Sequence, residues 1–217
     1  MSDRSLTPEL LMAAYGAGVF PMAETRDDPE VFWVDPQDRG ILPLNGFHLS
    51  RSLARKMRKD EHHAKLNVGF ATILDGCADR DETWINATIR KLMLQLHDMG
   101  HAHCFGLWRG ETLVGGMYGL ALGAAFFGES MFSRERDASK MTLAWAVDHL
   151  LKTGFQLFDT QFITPHLASL GALEIPRATY RARLEHALNR PADIHANPLE
   201  TDPQAVIQRI TQTSYRG

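Results

Sequence analysis

The stretch AHCFGLWRGETLVGGMYGLALGAAFFGESM, residues 102–131, holds three apolar runs separated by short glycine-containing turns. Ala102–Trp108, Thr112–Leu120 and Ala124–Met131 are joined at Arg109-Gly110 and at Gly123, the pattern of an antiparallel meander. A helical pattern then runs from Ala138 to Lys152 and stops at Gly154, and Phe155–Thr160 returns as a strand. The order β-β-β-α-β predicts a mixed sheet with a crossover helix, an α/β (α+β) fold with flanking helices.

Upstream, Thr7-Pro8-Glu9 reads as an N-cap, a proline at the first helical position and an early acid, opening a helix that ends near Gly16 or Gly18. Residues 20–47, with Pro21, Pro36 and Pro43, read as an irregular stretch wrapped over something else. Ser50 opens a short helix, a strand is expected near Ala64–Val68, and residues 71–78 look helical. Thr83–Met99 reads as one amphipathic helix stopped by Gly100, and the chain beyond Pro165 as mostly helical.

The 217 residues suffice for one sizeable core, and 44% hydrophobic with 23% charged residues is ordinary globular composition. No stretch approaches a membrane span, and the first residues lack a signal-peptide pattern, so the expected location is cytoplasmic. Cys77 and Cys104 are too few for a disulfide framework or a zinc cluster and read as buried hydrophobes. A net charge of −3 argues against a chain coated in basic residues but leaves room for local patches.

Polar candidates cluster around GESMF and FDTQ. Asp159 and Gln161 lie two apart, so on a strand they share a face and point into one cleft, where Glu129 meets them from a neighbouring strand. Such a group is equally well read as a structural hydrogen-bond network, although aromatic neighbours favour a site. Ser130 lies in GESMF, where Phe132 replaces the second glycine of a nucleophile elbow, which argues against a serine hydrolase. His101 and His103 share a strand face without an evident third metal ligand.

Arg51, Arg55, Lys56, Arg58 and Lys59 form a basic stripe, and Arg177, Arg181 and Arg183 a second cluster. Each is a solvated helix face or a set of phosphate contacts. Trp33, Trp84 and Trp108 are core residues or stacking platforms. The turn from Arg134 to Ser139 has the position of a coenzyme A pyrophosphate loop, but Asp137 stands where a glycine is needed, so coenzyme A binding is disfavoured.

Together YGAGVFPM (15–22), FWVDPQDRGILPL (32–44), FHLSRSLARKMR (47–58), TWI (83–85), LHDMGHAH (96–103), LVGGMYGLALGAAFFGESMFSR (113–134), DASK (137–140), FDTQ (158–161) and HLASLGALEIPR (166–177) resemble the leucyl/phenylalanyl-tRNA–protein transferases. The resemblance spans roughly residues 6–185. It implies a small N-terminal domain over residues 1–62, an acetyltransferase-like catalytic domain over 63–190 and a partly helical C-terminal tail over 191–217. It also implies transfer of leucine or phenylalanine, less readily methionine, from aminoacyl-tRNA to proteins beginning with arginine or lysine, creating an N-degron, with neither metal nor cofactor.

Carried over by motif, Glu129, Asp159 and Gln161 would be catalytic. Trp33 and Trp108 would hold the terminal adenosine, with Ser130 nearby, and Met117 and Phe126 would line the side-chain pocket. Arg51, Arg55, Lys56, Arg58, Lys59, Arg177 and Arg181 would contact tRNA. In this scheme Asp159 polarises Gln161, which orients the attacking amine, while Glu129 holds an amino group. The alternatives are a transferase that uses aminoacyl-tRNA with a non-protein amine acceptor, and a noncatalytic tRNA-binding protein.

Overall fold

The structure, a computed structural model, describes residues 6–213. Chain order begins with α1 (Pro8–Gly16), whose first turn is capped as the Thr7-Pro8 signal predicts: Leu10 N donates to Thr7 Oγ1 at 3.2 Å. Gly18 then takes φ +82 and turns the chain into β1 (Phe20–Met22), which pairs antiparallel with β2 (Phe32–Val34). β3 (Asp38–Ile41) follows, then a single 3-10 turn at Leu44–Gly46 and α2 (Arg51–Met57), capped by Ser50. Residues 20–47 are therefore not irregular throughout. Their strands are three or four residues long, too short for alternation to register, and β3 finds its partners more than 100 residues away in the sequence.

β4 (His63–Leu66), α3 (Phe70–Ala78) and α4 (Ala87–Asp98) come next. The long helix expected from Thr83 begins only at Ala87, because the Asn86 side chain accepts from Ile89 N at 2.8 Å and caps it there. Thr83–Asn86 belongs instead to the connection between α3 and α4. The meander consists of β5 (Ala102–Arg109), β6 (Thr112–Leu122) and β7 (Ala125–Ser133). α5 (Ala138–Lys152) crosses over to β8 (Leu157–Gln161). α6 (Pro165–Ala168), β9 (Leu173–Pro176), α7 (Arg177–Leu188) and α8 (Pro203–Thr213) complete the order. β9 was not legible in the stretch expected to be mostly helical, since its four residues lead straight into α7.

The main sheet runs β4-β5-β6-β7-β8-β3-β9, antiparallel except between β7 and β8. This is the mixed order read from the meander and its crossover helix. β3 lies in this sheet although it falls within residues 1–62, and α8 packs on α5 from the last segment. Side chains of adjacent residues go to opposite faces. Phe126 joins Phe105, Phe158 and Trp145 on the α5 and α8 side, whereas Phe127 joins Tyr15, Tyr118 and Tyr180 on the α1, α3, α4 and α7 side. No helix among the described residues is long and apolar enough to cross a membrane.

Candidate active site

β7 and β8 pair in parallel only from Ala125↔Leu157 to Phe127↔Asp159, after which both strands continue without each other. Each is bulged at that point. On β7, Tyr118 pairs with Ser130 and Gly119 with Gly128, which leaves Glu129 as the extra residue. On β8, Gly40 of β3 pairs with Gln161 and Ile41 with Asp159, which leaves Thr160 over. Bulges re-aim side chains and bend strands. Here they open a cleft at the carboxyl ends of the two parallel strands, where ligands of open α/β sheets commonly lie.

Gln161 takes φ +57 at the end of β8. The turn this makes presses Phe162 against β3, and a Cβ on Gly40 would meet the Phe162 carbonyl carbon at 2.6 Å. Glycine at position 40 is thus a condition for the turn. The turn delivers the Gln161 amide to the cleft, where Nε2 donates to Glu129 Oε1 at 3.0 Å.

Asp159 does not share that cleft, contrary to the same-face expectation. It is fully buried, and its carboxylate is saturated from behind. Arg39 Nε and Nη2 donate to it at 2.9 and 2.6 Å, the Tyr180 hydroxyl at 2.7 Å and the Gln161 backbone N–H at 2.8 Å. The bulge at Thr160 and the left-handed backbone at Gln161 break the period-2 rule that placed the two side chains together. Asp159 therefore holds the backbone of Gln161 and does not polarise its side chain. Arg39, itself buried, lies between the rings of Phe20 and Tyr180, with its guanidinium carbon 4.5 Å from each centroid, and also donates to Gly18 O. Burial works against its charge, but Asp159 outweighs this and holds the Arg39 pKa above the ordinary value. Motif and spacing singled out neither Arg39 nor Tyr180, because both act through contacts that only the folded chain makes.

Burial pushes the Glu129 carboxyl up to about 8 against the opposing influence of the Tyr15 hydroxyl; the Asp159 charge adds to the rise and Arg39 subtracts from it. At neutral pH Glu129 is thus mainly protonated.

The pocket below has a volume of about 310 Å³. Met117, Met131, Leu143, Phe158 and Leu167 make it apolar, and Glu129, Gln161, Ser130, Arg80 and His166 supply its polar groups. Burial lowers the His166 pKa. Ser130 Oγ accepts from Arg80 Nη2 at 2.8 Å, and Arg80 is a pocket residue that motif reading passed over. Phe126 stands one layer back, fully buried with its ring against Phe158 at 5.4 Å.

The tryptophans divide differently from the expectation. Trp84, on the α3–α4 connection, lines the pocket. Trp33 is on β2, 41% exposed and opposite Pro21, beside the pocket residues Phe20 and Met22 but not in the pocket wall. Trp108 lies on β5, two strands from β7, with Lys65 Nζ 4.7 Å from its ring centroid, and takes no part in the pocket.

The sequence profile of the leucyl/phenylalanyl-tRNA protein transferases matches residues 41–185, and the profile of their N-terminal domain matches residues 4–37. The chain belongs to the leucyl/phenylalanyl-tRNA protein transferase family. Proteins named leucyl/phenylalanyl-tRNA–protein transferase are similar over almost the whole length. That of Ruegeria pomeroyi is 63% identical over 97% of this chain and 100% of its own. Those of Roseobacter denitrificans and Cereibacter sphaeroides are 59% and 57% identical, covering 96% and 99% of this chain and 99% and 100% of theirs. The family is one of aminoacyltransferases, and the splayed β7–β8 ends are where this transferase gathers its polar groups.

Its two basic clusters differ in how much charge they leave free. Arg51, Arg55, Arg58 and Lys59 are exposed on and just after α2 and form no ion pair among the described residues. Lys56 turns to the Arg136 carbonyl and to Asp137 at 3.9 Å. Arg177 and Arg181 both bind Asp35 Oδ2, at 3.1 and 2.8 Å. Asp137 takes φ +67 directly before α5, so the glycine-like position that a pyrophosphate loop would use carries a carboxylate, faced by Lys140 at 3.4 Å. His103 Nδ1 pairs with Asn67, and no group of three His, Cys, Asp or Glu among the described residues is placed to hold a metal ion. Cys77 and Cys104 are buried, which pushes both thiols up to about 12.

Proposed function

We propose that this protein moves leucine or phenylalanine, and less readily methionine, from aminoacyl-tRNA to the N-terminal arginine or lysine of proteins, in the cytoplasm, and so creates an N-degron. The observation that carries the reading is the Gln161–Glu129 hydrogen bond, fixed over an apolar pocket in a chain of this family. Met117, Met131, Leu143, Phe158 and Leu167 suit an unbranched-at-Cβ apolar side chain. The methionines Met22, Met117 and Met131 let the wall adapt, and a difference of one methylene is worth only about 1–3 kcal/mol in such a pocket, so overlap among Leu, Phe and Met follows.

The donor ester is already activated by its synthetase, and its aminolysis is downhill. Alignment of amine and ester is the main requirement, worth on the order of 7–11 kcal/mol in favourable systems. Gln161 directs one N–H of its amide to Glu129, which leaves its side-chain oxygen to accept from the acceptor's α-amino group. That amine has a pKa of about 7.7–8.0 and is partly neutral at cellular pH. Asp159, Arg39 and Tyr180 are positioning residues that hold the Gln161 backbone. Trp84 is the better candidate than Trp108 for stacking on the terminal adenosine, with Trp33 nearby at the rim. The α2 stripe is the favoured tRNA contact, because Arg177 and Arg181 are already engaged by Asp35.

Transfer of labelled leucine from Leu-tRNA to a peptide beginning with Arg tests this, beside the same peptide N-acetylated and one beginning with Ala. Label on the free Arg peptide alone is the expected result. Label on none of them, with charged tRNA still bound, would send the search to a non-protein amine acceptor.

A further inference from the structure

Arg80 is a charge that the transfer reaction described so far does not use. It lines the pocket, and it forms no ion pair among the described residues. Its guanidinium is nevertheless held in place by neutral acceptors. Nε donates to Cys77 O at 2.9 Å, and Nη2 to Ser130 Oγ at 2.8 Å and Met131 O at 2.6 Å. The backbone beneath it is also braced. Arg26 Nη2 donates to Ala78 O at 2.8 Å and to Arg80 O at 2.9 Å, and Arg80 N donates to Ala78 O.

Three neutral acceptors fix the direction of the guanidinium without cancelling its charge, and Nη1 is left with no hydrogen bond among the described residues. An arginine arranged in this way is suited to receive an anion. The pocket offers it no carboxylate partner: among the described residues Glu129 is the only carboxylate in the wall, and it pairs with Gln161. Asp79, Asp81 and Glu82 on the same connection are exposed and outside the wall. Trp84 lines the pocket from that same connection, four residues on. A base stacked on Trp84 would carry its ribose phosphate within the region that Arg80 commands.

We propose that Arg80 binds the phosphodiester on the 5′ side of the donor's terminal nucleotide and so sets its register before transfer. The proposal rests on the aminoacyl-tRNA reading above. Phosphate contacts position a nucleic acid while neighbouring groups read it, and Arg80 would do this beside the reaction centre, separately from the α2 stripe.

The test compares two small donors, O-leucyl-adenosine and its 5′-methyl phosphate diester, which differ by one phosphodiester. Both are given to the wild type, Arg80→Lys and Arg80→Met with the Arg-peptide acceptor. The wild type should use the phosphodiester donor about tenfold better in kcat/KM, as expected of one charge-assisted contact. Arg80→Met should lose most of that preference and Arg80→Lys should keep part of it. The salt slope of Leu-tRNA use should fall by roughly 0.7 in Arg80→Met, the value for one phosphate on a single strand. Loosening of the connection would depress both donors alike, so an equal loss from the two overturns the proposal, as does a phosphate preference that survives in Arg80→Met. Failure of the wild type to move leucine even from Leu-tRNA would instead overturn the underlying transfer reading.

Discussion

Arg39 grips Asp159 through two hydrogen bonds, 2.9 and 2.6 Å long, with both side chains almost wholly removed from solvent. Neither residue lines the pocket, yet the Asp159 carboxylate also receives the Gln161 N–H and thereby fixes the turn that presents the Gln161 amide. The ion pair thus acts on the reaction centre through the backbone.

Asp159→Asn should cost about 3–5 kcal/mol of stability, because it strands a buried guanidinium, and Arg39→Met should cost a similar amount for the converse reason. Both should lower kcat more than they raise KM for either substrate. The double variant Arg39→Met/Asp159→Leu should regain stability in denaturant melts without regaining kcat, since nothing then holds Gln161 N–H. Full activity in that double variant would remove Asp159 from the argument.

Glu129 has its pKa raised to about 8 in the folded chain, above that of an unfolded glutamate. The folded state therefore keeps a proton that the unfolded state releases, and stability falls as pH rises from the glutamate range towards 8. Glu129→Gln should leave Tm nearly unchanged at pH 5 and raise it relative to wild type at pH 8.5. A Tm difference independent of pH would mean that Glu129 is ionised throughout.

On the tRNA side, Arg51→Ala/Arg55→Ala should raise KM for Leu-tRNA and flatten its salt dependence by about two phosphate contacts. Arg177→Ala/Arg181→Ala should do less, because the pair is already neutralised in part by Asp35. Filter-binding titrations at several salt concentrations separate the two. Equal slopes would move the tRNA path off α2.

Trp84→Ala should raise KM for O-leucyl-adenosine roughly 5- to 150-fold, the range for losing about 1–3 kcal/mol of base stacking. Trp108→Ala should leave that KM alone and lower Tm instead, since its ring covers Lys65 and β5 outside the pocket. A donor defect in Trp108→Ala with normal binding in Trp84→Ala would restore the assignment made from motif alone.

The meander, the crossover helix and the parallel return of β8 were legible in the chain because alternation, glycine turns and helical periodicity are local signals. So were Glu129, Gln161 and Asp159 as members of one constellation, through the GESMF and FDTQ blocks. Tertiary structure decided what each of them does. A β-bulge at Thr160 and a left-handed Gln161 separate Asp159 from Gln161, although spacing alone put them on one face. Arg39, Tyr180 and Arg80 acquire their roles from partners 120, 21 and 50 residues away in the chain. Local patterns record which way a segment folds, but a buried carboxylate's partners are set by which distant strands and helices close over it.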